Sequence, residues 1–115
     1  MKRAALLALA LALVATDVAA AAPARLLVEA REFNLTLSRG KIKHGVAIVQ
    51  LANQGEDPHD LAIKRLRGKR RGTIAETRPG EQSEWEGRLR RGRYRLYCTL
   101  EGHRAAGMRA VLRVR

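Results

Sequence analysis

Apolar and polar residues alternate with a period of two along much of this 115-residue chain. Such alternation places every second side chain on one face of an extended strand and offers no continuous apolar stripe to a helix. Phe33, Leu35 and Leu37 alternate with Asn34, Thr36 and Ser38. Leu61 and Ile63 alternate with Ala62 and Lys64, and Ser83, Trp85, Gly87 and Leu89 form another set. Tyr94, Leu96 and Cys98 share one face opposite Arg93, Arg95 and Tyr97; Ala110, Leu112 and Val114 lie opposite Val111, Arg113 and Arg115. The continuous run Val46-Ala47-Ile48-Val49 predicts a strand covered on both faces. Arg39-Gly40, Asn53-Gln54-Gly55, Arg67-Gly68, Pro79-Gly80 and Arg91-Gly92 supply the residues at which a chain reverses. Short strands separated by such turns predict an all-β sandwich or barrel. Only the stretch Lys64 to Arg71 leaves room for a helical turn, and there is no internal repeat.

The N-terminus follows a different rule. Met1-Lys2-Arg3 is basic, Ala4 to Ala15 is apolar, and small residues follow. That order reads as a secretory signal peptide over residues 1–20, with cleavage after Ala20. A cut after Ala22 would set Pro23 directly behind the scissile bond. The apolar run is shorter than the roughly 20 residues a bilayer span requires. Residues 21–115 then form one domain, exported to the periplasm or secreted.

Charge narrows the partners. Lys and Arg number 23 against 11 Asp and Glu, a formal net charge of +12. The field favours anionic partners, so an acidic redox protein or an anionic membrane surface is expected. Nucleic acid is not expected, because the basic residues are not interleaved with stacking aromatics. Lys64, Arg65, Arg67, Lys69, Arg70 and Arg71 form the densest basic cluster and the candidate docking patch. The chain is expected to act as a monomer.

The sulfur is concentrated near the C-terminus. Cys98 is the only cysteine, and Met108 is the only methionine besides Met1. A lone thiol in an oxidising compartment is a liability unless something occupies it, and a metal ion is one such occupant. His103 lies between the two sulfurs, and Gly107 permits close approach of the chain before Met108. His59, after the turn-rich Asn53-Gln54-Gly55-Glu56-Asp57-Pro58, supplies a second imidazole. Two histidines, one thiolate and a weak thioether are the ligand set of a blue-copper electron-transfer centre. His44 stands at a basic turn without a sulfur neighbour and reads as an exposed turn residue.

The stretch Tyr94-Arg95-Leu96-Tyr97-Cys98-Thr99-Leu100-Glu101-Gly102-His103-Arg104-Ala105-Ala106-Gly107-Met108, with Asn53-x-Gly55-x-x-Pro58-His59-Asp60-Leu61 upstream, resembles the cupredoxin family of plastocyanin, azurin and their bacterial relatives. The resemblance runs from about Leu26 to Arg115. It implies a cupredoxin-like Greek-key β-sandwich holding one type 1 copper ion near one end. His59, Cys98 and His103 would form the trigonal plane and Met108 the axial ligand. It further implies that Asp60 and Thr99 tie the two ligand-bearing loops together, Asp60 standing where plastocyanin and azurin carry asparagine. With every coordination position filled by protein, no open site remains for a substrate, and an enzyme is not expected. The expected function is a one-electron carrier cycling between Cu(I) and Cu(II). The alternatives are a copper carrier or chaperone that delivers the ion itself, and an interaction module with a vestigial site.

Overall fold

The computed structural model describes residues 2–16 and 20–115. Residues 2–16 carry no regular secondary structure, and side chains such as Leu6 and Leu13 stand in solvent. No helix among the described residues is long and apolar enough to cross a membrane. The expected cleavage after Ala20 abuts residues 17–19, which lie outside the described residues.

The alternating segments become strands β1 (Ala24–Arg31), β2 (Asn34–Leu37), β3 (Lys41–Ile42), β4 (Gly45–Asn53), β5 (His59–Arg65), β6 (Arg70–Thr77), β7 (Gln82–Leu89), β8 (Gly92–Tyr97) and β9 (Arg109–Val114). One helical turn, α1 (His103–Ala106), interrupts the connection from β8 to β9. The strands form two sheets, ordered β2-β1-β4-β7 and β3-β9-β8-β5-β6. Pairing is antiparallel except between β1 and β4 and between β3 and β9. These parallel pairs join strands that a simple hairpin cannot connect, so the chain crosses between the layers.

Side chains from both sheets meet in one core. Val28, Val49, Leu51, Ile63, Tyr94, Leu96 and Leu112 are fully or almost fully withdrawn from water. The Tyr94 hydroxyl donates to the Arg90 carbonyl at 2.8 Å, so its polar tip is satisfied despite burial. β4 is covered on both faces, as its continuous apolar run predicts. Ala47, Val49 and Leu51 point into the sandwich, while Ile48 stands between Arg25 and Glu86 on the outer face and is still only 8% exposed. Long charged side chains can shield such a residue with their methylene stems.

Trp85 closes one edge. Its indole lies against Gly87 on its own strand and Gly72 on β6, so a Cβ at either position would collide with the ring. β7 and β6 belong to different sheets, and this contact joins their edges.

Two expectations change. Phe33 is not part of the inward alternation: it sits in the turn between β1 and β2 and is 44% exposed, while Leu35 keeps its core position. The Lys64–Arg71 segment is a strand–turn–strand hairpin, and the one helical turn among the described residues lies at His103–Ala106. Polar satisfaction decides the second case, because hydrogen bonds between β5 and β6 extend to Lys64 opposite Arg70.

Candidate metal centre

His59 opens β5 on the same face as Leu61 and Ile63, so its imidazole points between the sheets and is fully buried. Cys98 follows β8 and continues the inward face of Tyr94 and Leu96. Its backbone N–H donates to the Met108 carbonyl at 3.1 Å, which sets Met108 beside it at the threshold of β9. Met108 is also fully buried, in the same apolar cluster as Cys98. The intervening loop is fastened by its own backbone: the N–H of His103 donates to the Leu100 carbonyl, and that of Met108 to the His103 carbonyl, each at 3.1 Å. Gly107 adopts φ 131°, and a Cβ there would lie 2.6 Å from the Phe33 carbonyl oxygen. The glycine therefore allows the close approach expected of it, and the neighbour it approaches is the β1–β2 turn.

Three donor atoms converge. His59 Nδ1 lies 3.2 Å from His103 Nδ1 and 4.0 Å from Cys98 Sγ, and the remaining pair, Cys98 Sγ and His103 Nδ1, is 3.6 Å apart. The point equidistant from all three is about 2.1 Å from each, the length of an imidazole–metal bond. Two imidazole nitrogens and one thiolate sulfur gathered at this spacing are the His2Cys donor set that would suit copper. The residues therefore fit copper in donor chemistry and in spacing. Burial pushes the Cys98 thiol above its ordinary range, so metal binding there must release a proton.

The protonation of His59 follows from its other edge. Nε2 lies 2.7 Å from a carboxylate oxygen of Glu32. Glu32 also accepts backbone N–H groups from Asp57 at 2.9 Å and Glu56 at about 3.0 Å, and these bonds hold its carboxyl down at about 2. An ionised carboxylate can only accept, so Nε2 carries the proton and Nδ1 presents its lone pair to the site. Gly55 makes room for this carboxylate, since a Cβ at that position would strike the Glu32 side chain. Asn53, 2% exposed, braces the same turn: its amide donates to the Asp57 and Thr77 carbonyls at 2.7 and 2.8 Å, and its oxygen accepts from the Gly55 N–H.

His103 is held differently. It is partly exposed, and the Phe33 ring meets it edge-on with centroids 5.3 Å apart. Glu32 and Phe33 are the site residues that the sequence did not reveal. Their signal was the parallel pairing of β1 with β4, which sets Ala30 beside Asn53 and so brings the following turn over both histidines.

Asp60 accepts the backbone N–H of Thr99 at 2.6 Å and also its hydroxyl, linking the start of β5 to the residue after Cys98. The basic cluster divides. Lys64 and Arg70 lie opposite one another on paired strands, and Arg67 and Lys69 occupy the exposed turn. Arg71 is exposed at a bulge, while Arg65 folds back to donate to the Arg91 carbonyl at 2.8 Å and is a strut within the fold. His44 is exposed at the far end, with Nδ1 2.9 Å from the Arg115 carbonyl, and takes no part in the site.

With His59, Cys98, His103 and Met108 gathered at one end of its two-sheet sandwich, the protein has the cupredoxin fold. Solved structures agree. Dithionite-reduced auracyanin from Roseiflexus castenholzii superposes with a TM-score of 0.67 at 17% identity, over 83% of this chain and 99% of that one. Auracyanin A from Chloroflexus aurantiacus, a blue copper protein, gives 0.64 at 11% identity, over 82% and 100%. A purple cupredoxin from Nitrosopumilus maritimus gives 0.56 at 17% identity, over 77% and 98%. No protein-family model matches the sequence, and no curated protein matches it.

Proposed function

We propose that this protein is an exported one-electron carrier that holds a single type 1 copper ion with His59, Cys98, His103 and Met108. The observation that carries the reading is the convergence of the His59, Cys98 and His103 donor atoms to within 4.0 Å of one another, with a buried thioether beside them. Copper bound there would supply one-electron chemistry between Cu(I) and Cu(II). The chain contributes a donor triangle braced from several strands, so the ligands move little between the two valences. Glu32 fixes the ring and tautomer of His59, and Asp60 fixes the segment that carries Cys98. The core around Cys98 and Met108 keeps water from the sulfurs.

His103 is the one member of the donor triangle that reaches the surface. Its outer edge is the place for a redox partner to approach, with the net positive charge steering an acidic one. Four protein ligands leave no open position for a substrate, which supports a carrier rather than an enzyme. The exported location rests on the basic, apolar and small-residue order of the first 20 residues.

The deciding experiment is an absorption spectrum of the copper-reconstituted protein. A thiolate-to-copper band near roughly 600 nm is expected from the covalent copper–cysteine bond. Ascorbate should bleach it reversibly with copper retained. Loss of the ion to a mild chelator in either valence would replace the electron carrier by a copper chaperone, and a colourless copper-loaded protein would leave the site vestigial.

A further inference from the structure

The outer face of the five-stranded sheet carries cations opposite cations. Arg113 on β9 pairs with Arg93 on one side and with Lys41 on the other. One row further, Lys64 stands between Arg95 and Arg70. Arg109 stands opposite Tyr97, whose ring is covered by Arg104 at 4.2 Å. No acidic residue occupies a facing position in these registers. Among the described residues no carboxylate forms a salt bridge with any of these cations; the one carboxylate contact of that kind, Glu32 with the His59 imidazole, lies at the metal centre. Like charges directly opposite one another destabilise a sheet, so a fold left to itself does not gain from this arrangement. Val111 lies among them, 51% exposed.

The face continues into a recess. At the end of the sandwich away from the metal centre, a cavity of about 850 Å3 is lined by Lys43, Arg91, Arg93, Arg113 and Arg115 together with His44. Arg93 and Arg113 belong to both the face and the recess. Guanidinium groups match phosphate oxygens in pairs. A field of such groups spread across the whole sheet, with an exposed valine within it and a basic recess at its edge, presents many phosphate-matching cations at once, which complements the repeated headgroups of an anionic phospholipid bilayer.

We infer that the outer face of the β3-β9-β8-β5-β6 sheet docks onto the phosphate headgroups of an anionic lipid bilayer, leaving the metal end free for redox partners. This goes beyond the electron-carrier reading and does not depend on it. The test is co-sedimentation of the apo and copper-loaded protein with phosphatidylcholine vesicles, with and without phosphatidylglycerol. Binding is expected only to the anionic vesicles, equally with and without copper, and reversed by salt. Reversing Arg93, Arg95 and Arg113 to glutamate should weaken it by roughly 100-fold or more, since each cation near such a surface contributes separately. Reversing Arg25, Arg31 and Arg88 on the other sheet should weaken it by less than about tenfold, as those charges lie a screening length away. Single substitutions Arg95→Gln and Arg113→Gln, each read against the fluorescence of the folded chain, give the same ranking if a triple variant fails to fold. Absence of binding to anionic vesicles overturns the proposal. So does equal sensitivity to the two sets of reversals. Capture by immobilised polyglutamate that anionic vesicles do not compete away also overturns it, in favour of an acidic protein at this face.

Discussion

The two histidines of the site live in unlike surroundings. His59 is fully buried, begins a strand, and has its second nitrogen bonded to a carboxylate that is itself held by two backbone N–H groups. His103 is partly exposed, sits on a single helical turn, and has the Phe33 and His59 rings against it. One imidazole is fixed by a chain of hydrogen bonds that reaches through Glu32, Asp57 and Asn53. The other is fixed by backbone bonds of its own loop. The contrast separates two tasks that the proposed copper centre would combine: one side holds the geometry, and the other gives access.

The largest expected difference comes from deleting each ring. His59→Gly should abolish the blue band and resist rescue by added imidazole, because the cavity is sealed. His103→Gly should recover colour with millimolar-range imidazole, because its position opens to solvent. Equal rescue of both, followed by visible absorption, would break the comparison.

Backbone strain on the loop side comes next. Gly107→Ala should cost roughly 3 kcal/mol in urea unfolding, since the methyl group meets the Phe33 carbonyl in a left-handed conformation. Gly80→Ala, also at positive φ but with open space around it, should cost only about 1 kcal/mol. Similar losses at the two positions would show that the approach of the β1–β2 turn to the loop carries no weight.

On the buried side, Glu32→Gln should lower copper(II) affinity by roughly 10–100-fold, the usual cost of losing a carboxylate behind a ligating histidine. The same change should raise the potential, at about 59 mV for each tenfold loss specific to the oxidised ion. An unchanged potential with reduced thermal stability would make Glu32 a structural brace alone. The smallest effect is one of pH on the apo protein. Glu32 is held at about 2, below its ordinary 4.5, so its contribution is complete above 4.5 and fades as pH falls towards 2. Acid unfolding of Glu32→Gln should lose that part of the pH dependence, while Glu84→Gln on the outer sheet face should retain it.

Much of this was legible in the sequence, and for identifiable reasons. Cys98, His103 and Met108 are chemically rare and lie within one short segment, so their spacing alone placed them together. The alternating runs revealed most strands because each buries one face. Glu32 and Phe33 were hidden, because nothing in Arg31-Glu32-Phe33-Asn34 points to residues 55, 59 and 107. Only the parallel register of β1 on β4 brings them there. Phe33 was misleading for the same reason: its size and spacing fit a core strand, and the turn takes it out of phase. The basic sheet face was hidden too. The run from Lys64 to Arg71 is conspicuous because it is contiguous, yet Arg65 is spent on an internal bond. Lys41, Arg93, Arg95, Arg109 and Arg113 come together only across three strands.

The seating of Trp85 between Gly72 and Gly87 gives the molecule a built-in optical gauge. It is the sole indole in the chain and lies where the margins of the two layers meet. Its emission should shift when those margins part, whatever happens to the blue colour at the tip. Two independent signals, one fluorescent and one absorptive, thus report whether the sandwich opens before or after the ion is lost.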